Sequence, residues 1–171
     1  MDWTFSIPMK NLTAYSLEKK TEDNQPFTYP VLTIPTVWLN TERNQFTADT
    51  LIDTGCSTSA VTVLFTQKII SQEARNHIIH PTKEATVLRS ATGDCLVACC
   101  MVTLKFILHD TSITHNFFVF NNLPYDIVLG MDFMREKEIV LDMTNKSLNI
   151  PKHNTSLQFT REIGINPSSF E

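Results

Sequence analysis

One stretch decides the fold: Leu51-Ile52-Asp53-Thr54-Gly55-Cys56-Ser57-Thr58-Ser59-Ala60-Val61. An apolar run ends at a lone carboxylate, a Thr-Gly pair follows, and small polar residues lead into a second apolar run. This order is typical of a buried strand that ends in a tight turn. The turn presents Asp53, which we interpret as a catalytic acid, although Asp and Gly also recur in ordinary turns.

The chemistry of such an acid needs a partner. A carboxylate that activates water works beside a second carboxyl group, so that the two share one proton and act as base and acid. The sequence contains a single Asp-Thr-Gly and no Asp-Ser-Gly. A symmetric homodimer supplies the same residue twice across a two-fold axis. We therefore expect the active unit to be a homodimer with one Asp53 from each subunit.

A second segment makes the interpretation more specific: Leu123-Pro124-Tyr125-Asp126-Ile127-Val128-Leu129-Gly130-Met131-Asp132-Phe133-Met134. It reads as a buried strand, a glycine and a short amphipathic stretch. Together, the two segments resemble the retroviral-type, or retropepsin-like, aspartic proteases. The run from Tyr125 to Phe133 is most similar to the Ty3/gypsy retrotransposon and plant pararetrovirus branch of that family.

The resemblance implies a mostly β, retropepsin-like acid protease fold with one short C-terminal helix, active as a two-fold dimer. It covers residues 28–150, the expected protease domain. Residues 1–27 are then an N-terminal tail or linker, and residues 151–171 a polar C-terminal linker.

The resemblance also implies roles for individual residues. Asp53 is the catalytic aspartate, Thr54 and Gly55 support the active loop, and Gly130 packs behind it. The flap that closes over substrate is expected at Thr92, Gly93 and Asp94, where a glycine gives a permissive hairpin tip. The candidates for apolar substrate pockets are Val87, Leu88 and Ile127.

The implied function is an aspartic endopeptidase that processes a viral or retrotransposon polyprotein, with a peptide bound in an extended conformation. Two alternatives stay open. One is a non-catalytic dimerisation or binding module of the same fold, in which Asp53 is a turn carboxylate. The other is a cellular retroviral-like protease.

The chain departs from the family pattern close to the active turn. Cys56 stands where Ala or Ser is usual, which predicts activity that is sensitive to oxidation. The retroviral branch often has an acidic residue and an arginine where this chain has Ser57 and Met131. The turn must then be stabilised differently, and the hydroxyl groups of Ser57 or Ser59 are the candidates.

Composition restricts the other function classes. A net charge of −4 and a pI near 5.7 argue against a nucleic-acid-binding surface, which needs clustered Lys and Arg. No apolar run approaches the roughly 18 to 20 residues that span a membrane, and the N-terminus lacks a secretion signal pattern. We expect an intracellular protein, in host cytoplasm or a virus-like particle, that binds no membrane.

Cysteine and histidine spacing predicts no metal and no cofactor. Cys95, Cys99, Cys100, His109 and His115 are the only candidate ligand set, but they contain no Cys-x-x-Cys pair. Buried, reduced cysteines are the better interpretation. The two histidines have no partner motif, so we expect them in a turn or on a strand surface.

Periodicity and turn residues predict the remaining elements. A hairpin over 28–53 leads to the active turn, a strand continues over 60–65, and a short helix or irregular crossing follows over 66–77. Two strands over 86–104 form the flap hairpin, and further strands cover 106–110 and 115–120. A helix over 133–137 precedes a closing hairpin over 139–150.

Overall fold

A computed structural model describes residues 30–71, 79–80, 87–89, 95–159 and 161–164. The predicted flap tip, residues 92–94, and the predicted N-terminal tail, residues 1–27, lie outside these ranges. Neither α-helix of the described residues has the length and apolar character that crossing a membrane requires.

Within the described residues, the elements follow one another as strands with two short α-helices. The strands are β1 (Pro30–Leu39), β2 (Gln45–Ile52), β3 (Ala60–Thr62), β4 (Ile79–His80), β5 (Val87–Arg89), β6 (Cys95–Val97), β7 (Cys100–Leu108), β8 (Thr111–Phe120), β9 (Ile127–Leu129), β10 (Val140–Asp142), β11 (Ser147–Ile150), β12 (Thr155–Gln158) and β13 (Arg161–Gly164). The helices are α1 (Val63–Ile69) and α2 (Met131–Glu136), and a 3₁₀ turn covers Pro151–His153.

The main sheet has eight strands in the order β13-β1-β2-β9-β3-β8-β7-β4. Two of its pairings are parallel, β2 with β9 and β3 with β8. Strands β10, β11 and β12 form a separate antiparallel sheet, and β5 pairs with β6 as a hairpin. The parallel pairing of β2 with β9 brings the ends of these two strands together, and the two segments singled out in the sequence contain those ends.

A single large apolar core lies beneath the main sheet. Trp38 of β1 is its largest buried side chain and stacks on Phe106 at 4.8 Å between ring centroids. The indole N–H donates to Thr36 Oγ1 at 2.6 Å, so the ring is buried without an unpaired donor. A smaller cluster, Ala60, Leu96, Ala98, Phe120 and Val128, lies where the β5–β6 hairpin meets the main sheet.

The predicted order of elements is confirmed, with local corrections. The strand that follows the active turn ends at Thr62, because the Thr62 hydroxyl oxygen accepts the N–H of Phe65 and caps a helix. Helix α1 therefore begins at Val63, where the sequence predicted a strand up to residue 65. The predicted C-terminal helix begins at Met131. Helix α1 overlaps the first part of the short helix or crossing predicted over 66–77, and residues 72–77 of that segment lie outside the described residues.

The chain continues as sheet beyond residue 150, where the sequence predicted a polar linker. Strand β12 pairs with β11, with Leu157 opposite Leu148. Both side chains are buried in the main core. Strand β13 pairs with β1 at the edge of the main sheet. The domain boundary needs correction, because residues up to 164 complete the two sheets.

This boundary gives a stability prediction. We expect Leu157→Ala to lower the free energy of unfolding by about 2–5 kcal/mol, because it leaves a cavity in the core. The matched control is the exposed neighbour Gln158→Ala, expected to stay within about 0.5 kcal/mol of the unchanged protein. Urea unfolding monitored by tryptophan fluorescence measures both. Equal stability of the two variants would mean that β12 is not part of the core.

Candidate active site

Asp53 lies directly after β2, at the start of a tight turn. Its backbone N–H donates to the carbonyl oxygen of Leu129, at the end of β9, at 3.0 Å. Its Oδ1 accepts the N–H of Gly55 at 2.9 Å, and its carbonyl oxygen accepts the N–H of Cys56 at 3.2 Å. Within the described residues, Oδ2 accepts no hydrogen bond. The turn therefore orients the carboxylate and leaves one oxygen available.

The tip of the turn is exposed to solvent. Asp53 is half-buried, and Thr54 and Gly55 are exposed. These are the residues that sequence reasoning assigned to the active loop. The structure places them together at the surface, where a substrate or a second subunit can reach them.

Gly130 supports the turn from behind. A Cβ atom at this position would lie 2.6 Å from the carbonyl oxygen of Thr58 and 2.8 Å from that of Cys56, closer than any side chain allows. The next two residues hold the same loop, since Met131 N–H donates to the Cys56 carbonyl oxygen (2.8 Å) and Asp132 N–H to that of Ser57 (3.1 Å). Glycine is required here by close backbone approach.

Ser59 is the polar centre of this contact. Its side chain is fully buried. Its hydroxyl group donates to Asp132 Oδ1 at 2.7 Å and accepts the backbone N–H of Gly130 at 3.1 Å. Its own N–H donates to Asp132 Oδ2 at 2.9 Å. Of the two serines that the sequence offered as stabilisers of the turn, Ser59 has this role. Ser57 is exposed, and its carbonyl oxygen makes the contact with α2.

His115 completes a hydrogen-bond network around Ser59. It is 5% exposed, so the predicted strand-surface position is wrong. Its Nε2 lies 3.2 Å from Ser59 Oγ and 3.3 Å from Asp132 Oδ2, and its Nδ1 lies 2.9 Å from Glu136 Oε2. The histidine thus connects β8 to both the active loop and α2.

The carboxylates of this network are stabilised in their ionised form. Burial raises the pKa of Asp132, but hydrogen bonds from His115, from Ser59 and from the Phe133 N–H lower it by more, so it lies below the ordinary value of 3.8. A hydrogen bond from Lys137 and the charge of His115 hold the pKa of Glu136 below its ordinary 4.5. Hydrogen bonds to a charged carboxylate favour that charge.

Ser59, His115 and Glu136 are spaced like a serine hydrolase triad, with the hydroxyl near one ring nitrogen and a carboxylate on the other. A nucleophilic serine must reach a substrate. The Ser59 side chain has 0% exposure, and its oxygen already contacts Asp132, Gly130 and His115. The arrangement is therefore structural, whereas the half-buried Asp53 has a carboxylate oxygen that accepts no hydrogen bond within the described residues.

The predicted pocket residues separate into different environments. Val87 and Val97 lie opposite each other on the β5–β6 hairpin and are 43% and 37% exposed. Leu88 and its partner Leu96 pack on the smaller apolar cluster. Ile127 is fully buried in the main core, a placement that does not favour contact with substrate.

The thiol beside the turn is a weak nucleophile. Cys56 Sγ donates to the Thr58 carbonyl oxygen at 3.0 Å. Burial raises the pKa of Cys56, and the nearby charge of Asp53 adds to the effect. Because oxidants attack the thiolate, this environment opposes the predicted oxidation sensitivity. Among the described residues, no three His, Cys, Asp or Glu side chains are placed to hold a metal ion.

Sequence reasoning missed the burial of His115 and the contacts of Asp132 with the active loop. The position of His115 within its strand could have indicated that it is buried. Strand β8 buries every second residue, and His115 occupies the same register as Ile113, Phe117 and Val119. A histidine in a buried register needs polar partners, and Ser59 and Asp132 supply them.

No protein-family model and no curated protein matches the chain. Among solved structures, the retroviral protease-like domain of Ddi1 from Leishmania major is similar over 80% of this chain and 98% of its own, at 16% identity and a TM-score of 0.59. The EIAV protease in complex with an inhibitor matches 67% of this chain and 93% of its own, at 16% identity and a TM-score of 0.41. A retropepsin-like aspartic protease from Rickettsia conorii matches 69% and 91%, at 15% identity and a TM-score of 0.36.

At these identities the likeness concerns the fold alone, and it rests on the match to the Leishmania domain, whose TM-score is above 0.5. The predicted mostly β, retropepsin-like fold is confirmed.

The close contact behind the turn gives a stability prediction. We expect Ser59→Ala to lower the free energy of unfolding by about 1–3 kcal/mol, because it leaves the buried N–H of Gly130 without its side-chain acceptor and removes one of the donors to Asp132 Oδ1. Ser57→Ala is the matched control in the same loop, and it should stay within about 0.5 kcal/mol. Urea unfolding of both proteins is the measurement, and a larger loss in Ser57→Ala would contradict the assignment.

Asp132 gives a prediction about pH. Its pKa is lower in the folded protein than its ordinary 3.8, so its ionisation stabilises the fold above that pH and the contribution is lost as pH falls through the folded value. We expect the unfolding free energy to decline less steeply in Asp132→Asn than in the unchanged protein when pH is lowered below about 4. Both proteins keep Glu136 and Asp142, so the difference in slope isolates Asp132. Identical slopes would contradict the prediction.

Proposed function

We propose that the chain is an aspartic endopeptidase that acts as a homodimer. The observation that carries the proposal is the geometry of Asp53. Its Oδ1 is held by the N–H of Gly55, its backbone is fixed to β9, and the turn stands at the surface with a rigid support behind it. A reactive group must be exposed and oriented at once, and this turn provides both.

The dimer supplies the second carboxylate. Each chain contributes one Asp-Thr-Gly turn, and the exposed Thr54 and Gly55 are the surface through which two turns would face each other across a two-fold axis. Two carboxyl groups brought close together cannot both ionise, so the pair holds one proton near neutral pH or below. In this proposal Thr54 links the two turns.

The proposed reaction is general acid and base catalysis on water. One Asp53 carboxylate takes a proton from a water molecule, which attacks the carbonyl carbon of the peptide bond. The partner carboxyl group donates its proton to the carbonyl oxygen, which gives a tetrahedral diol. The first carboxyl group then passes the proton that it took from water to the amide nitrogen, while a hydroxyl group of the diol returns a proton to the partner carboxylate. The C–N bond breaks, and the pair again holds one proton. Protein carboxyl groups and water complete the step, so the proposal involves no cofactor. Activity is expected to be highest at mildly acidic pH, where the pair holds one proton.

The substrate proposal is an extended peptide beneath the β5–β6 hairpin. One face of this hairpin is anchored by Leu88 and Leu96, whereas the other presents the exposed pair Val87 and Val97. An extended peptide binds such a surface by backbone hydrogen bonds, with apolar side chains in neighbouring pockets. Val87 is therefore the better-supported pocket residue. The proposed flap residues Thr92, Gly93 and Asp94 lie outside the described residues.

The natural substrate is proposed to be a viral or retrotransposon polyprotein, as the Tyr125–Phe133 segment suggests. A cellular protease is the alternative, and the similarity in fold to a domain of Leishmania major is compatible with it. The third possibility is a dimerisation module without catalysis. Cleavage assays distinguish a protease from a dimerisation module. The flanking sequence distinguishes a viral or retrotransposon protease from a cellular one.

The test of the function is cleavage of a mixed peptide library at mildly acidic pH. We expect Asp53→Asn to lower the cleavage rate by at least about 1,000-fold, because an amide cannot act as the base. Mass spectrometry of the products measures the rate and the cleavage sites. The matched control is Asp49→Asn, an exposed position on the same strand, which should cleave like the unchanged protein.

The protein concentration determines how an absence of cleavage is interpreted. Sedimentation shows the concentration at which the dimer dominates, and the assay is run above it. Lack of cleavage by a demonstrated dimer would contradict the protease and favour the dimerisation module. Cleavage that survives Asp53→Asn would contradict the assignment of the catalytic residue.

A further inference from the structure

We propose that Asp132, held by His115, is a positioning residue that sets the geometry of the Asp53 turn through Ser59. This inference rests on the proposed protease function. It gives the network of Ser59, His115 and Asp132 a role in catalysis, through the position of Asp53, in addition to its role in packing.

The Asp132 carboxylate is saturated with donors. Oδ1 accepts the Ser59 hydroxyl at 2.7 Å and the Phe133 N–H at 2.7 Å. Oδ2 accepts the Ser59 N–H at 2.9 Å and faces His115 Nε2 at 3.3 Å. An amide in place of this carboxylate would turn N–H groups toward one of these pairs of donors. The site therefore requires an ionised aspartate.

One peptide unit connects the network to the catalytic residue. The carbonyl oxygen of Leu129 accepts the N–H of Asp53 at 3.0 Å, and the N–H of Gly130, which belongs to the same planar peptide, donates to Ser59 Oγ at 3.1 Å. A peptide plane rotates as one body. Displacement of the Ser59 hydroxyl therefore tilts the group that holds the backbone of Asp53.

His115 fixes the direction of the Ser59 hydroxyl. Serine has one hydrogen to donate, and the 2.7 Å contact to Asp132 uses it. In its contact with Ser59 Oγ, the His115 Nε2 can then only donate. The same nitrogen lies 3.3 Å from Asp132 Oδ2, and Nδ1 lies 2.9 Å from Glu136 Oε2.

The surroundings hold the histidine ring in this orientation. Its edges meet Phe117 at 5.4 Å and Phe133 at 5.2 Å between ring centroids, both nearly perpendicular. Glu136 is itself held by Lys137 at 2.7 Å. The ring lies between two elements, β8 and α2, and cannot rotate without displacing core aromatic side chains.

The experiment is a kinetic comparison of Asp132→Asn, Ser59→Ala and the double variant, normalised to the concentration of folded dimer. We expect each single variant to lower kcat by about 10- to 100-fold, with KM within about two-fold, since the substrate surface is unchanged. The double variant should be no slower than the slower single variant, because both remove the same coupling. The controls Asp142→Asn and Ser156→Ala make the same chemical changes in the sheet of β10 to β12.

The outcomes separate this inference from the proposed function. Folded, dimeric Asp132→Asn with an unchanged kcat would overturn the positioning role. If Asp132→Asn does not fold, His115→Gln takes its place under the same criterion, with His153→Gln as the control. If a demonstrated dimer of the unchanged protein does not cleave peptides, the protease proposal fails. The positioning role is then tested by the amide NMR signal of Gly55. A shift of that signal in Asp132→Asn but not in Asp142→Asn supports the positioning role, and no shift overturns it.

Discussion

The rest of the site depends on the approach of Gly130 to the carbonyl groups of Cys56 and Thr58. This contact is closer than any side chain permits, and it allows the N–H groups of Met131 and Asp132 to bond the active loop directly. A turn that presents a carboxylate at a surface has few contacts of its own, and here its rigidity comes from a strand end and a helix start behind it. The absence of a side chain at one position makes that support possible.

The site contains two kinds of polar group: the Asp53 carboxylate of the turn and the hydrogen-bonded network around Ser59. In front, Asp53 is half-buried, with one oxygen held by the turn. Behind it, the buried side chains of Ser59 and His115 form hydrogen bonds with the half-buried Asp132 and the exposed Glu136. Buried polar groups cost free energy unless every partner is present, so the network is sensitive to any single change. That sensitivity suits a role in holding geometry and does not suit a reactive group.

Local pattern was enough to predict much of the fold. The β1–β2 hairpin, the turn at Asp53 and the segment through Gly130 depend on alternation, turn residues and a short apolar run, all of which lie within a few positions of each other. His115 contacts Ser59, which lies 56 residues earlier in the sequence, and Asp132, which lies 17 residues later. A pattern among neighbouring residues cannot predict partners that are so far apart in the sequence. Strand β12 was missed because, of its two buried residues, Thr155 and Leu157, only Leu157 is a large apolar one. The pairing of β13 with β1 joins residues at opposite ends of the described chain.

The central claim is that each subunit supplies one Asp53 to a shared site. Unchanged protein and Asp53→Asn can be mixed, allowed to exchange subunits, and assayed at constant total concentration. If both carboxyl groups are required, only dimers of two unchanged chains are active, and an equal mixture has about one quarter of the full activity. A single sufficient Asp53 per dimer would leave activity well above one half. A decline in proportion to the unchanged chain, to about one half, would mean that each chain acts alone, and either result would contradict the account.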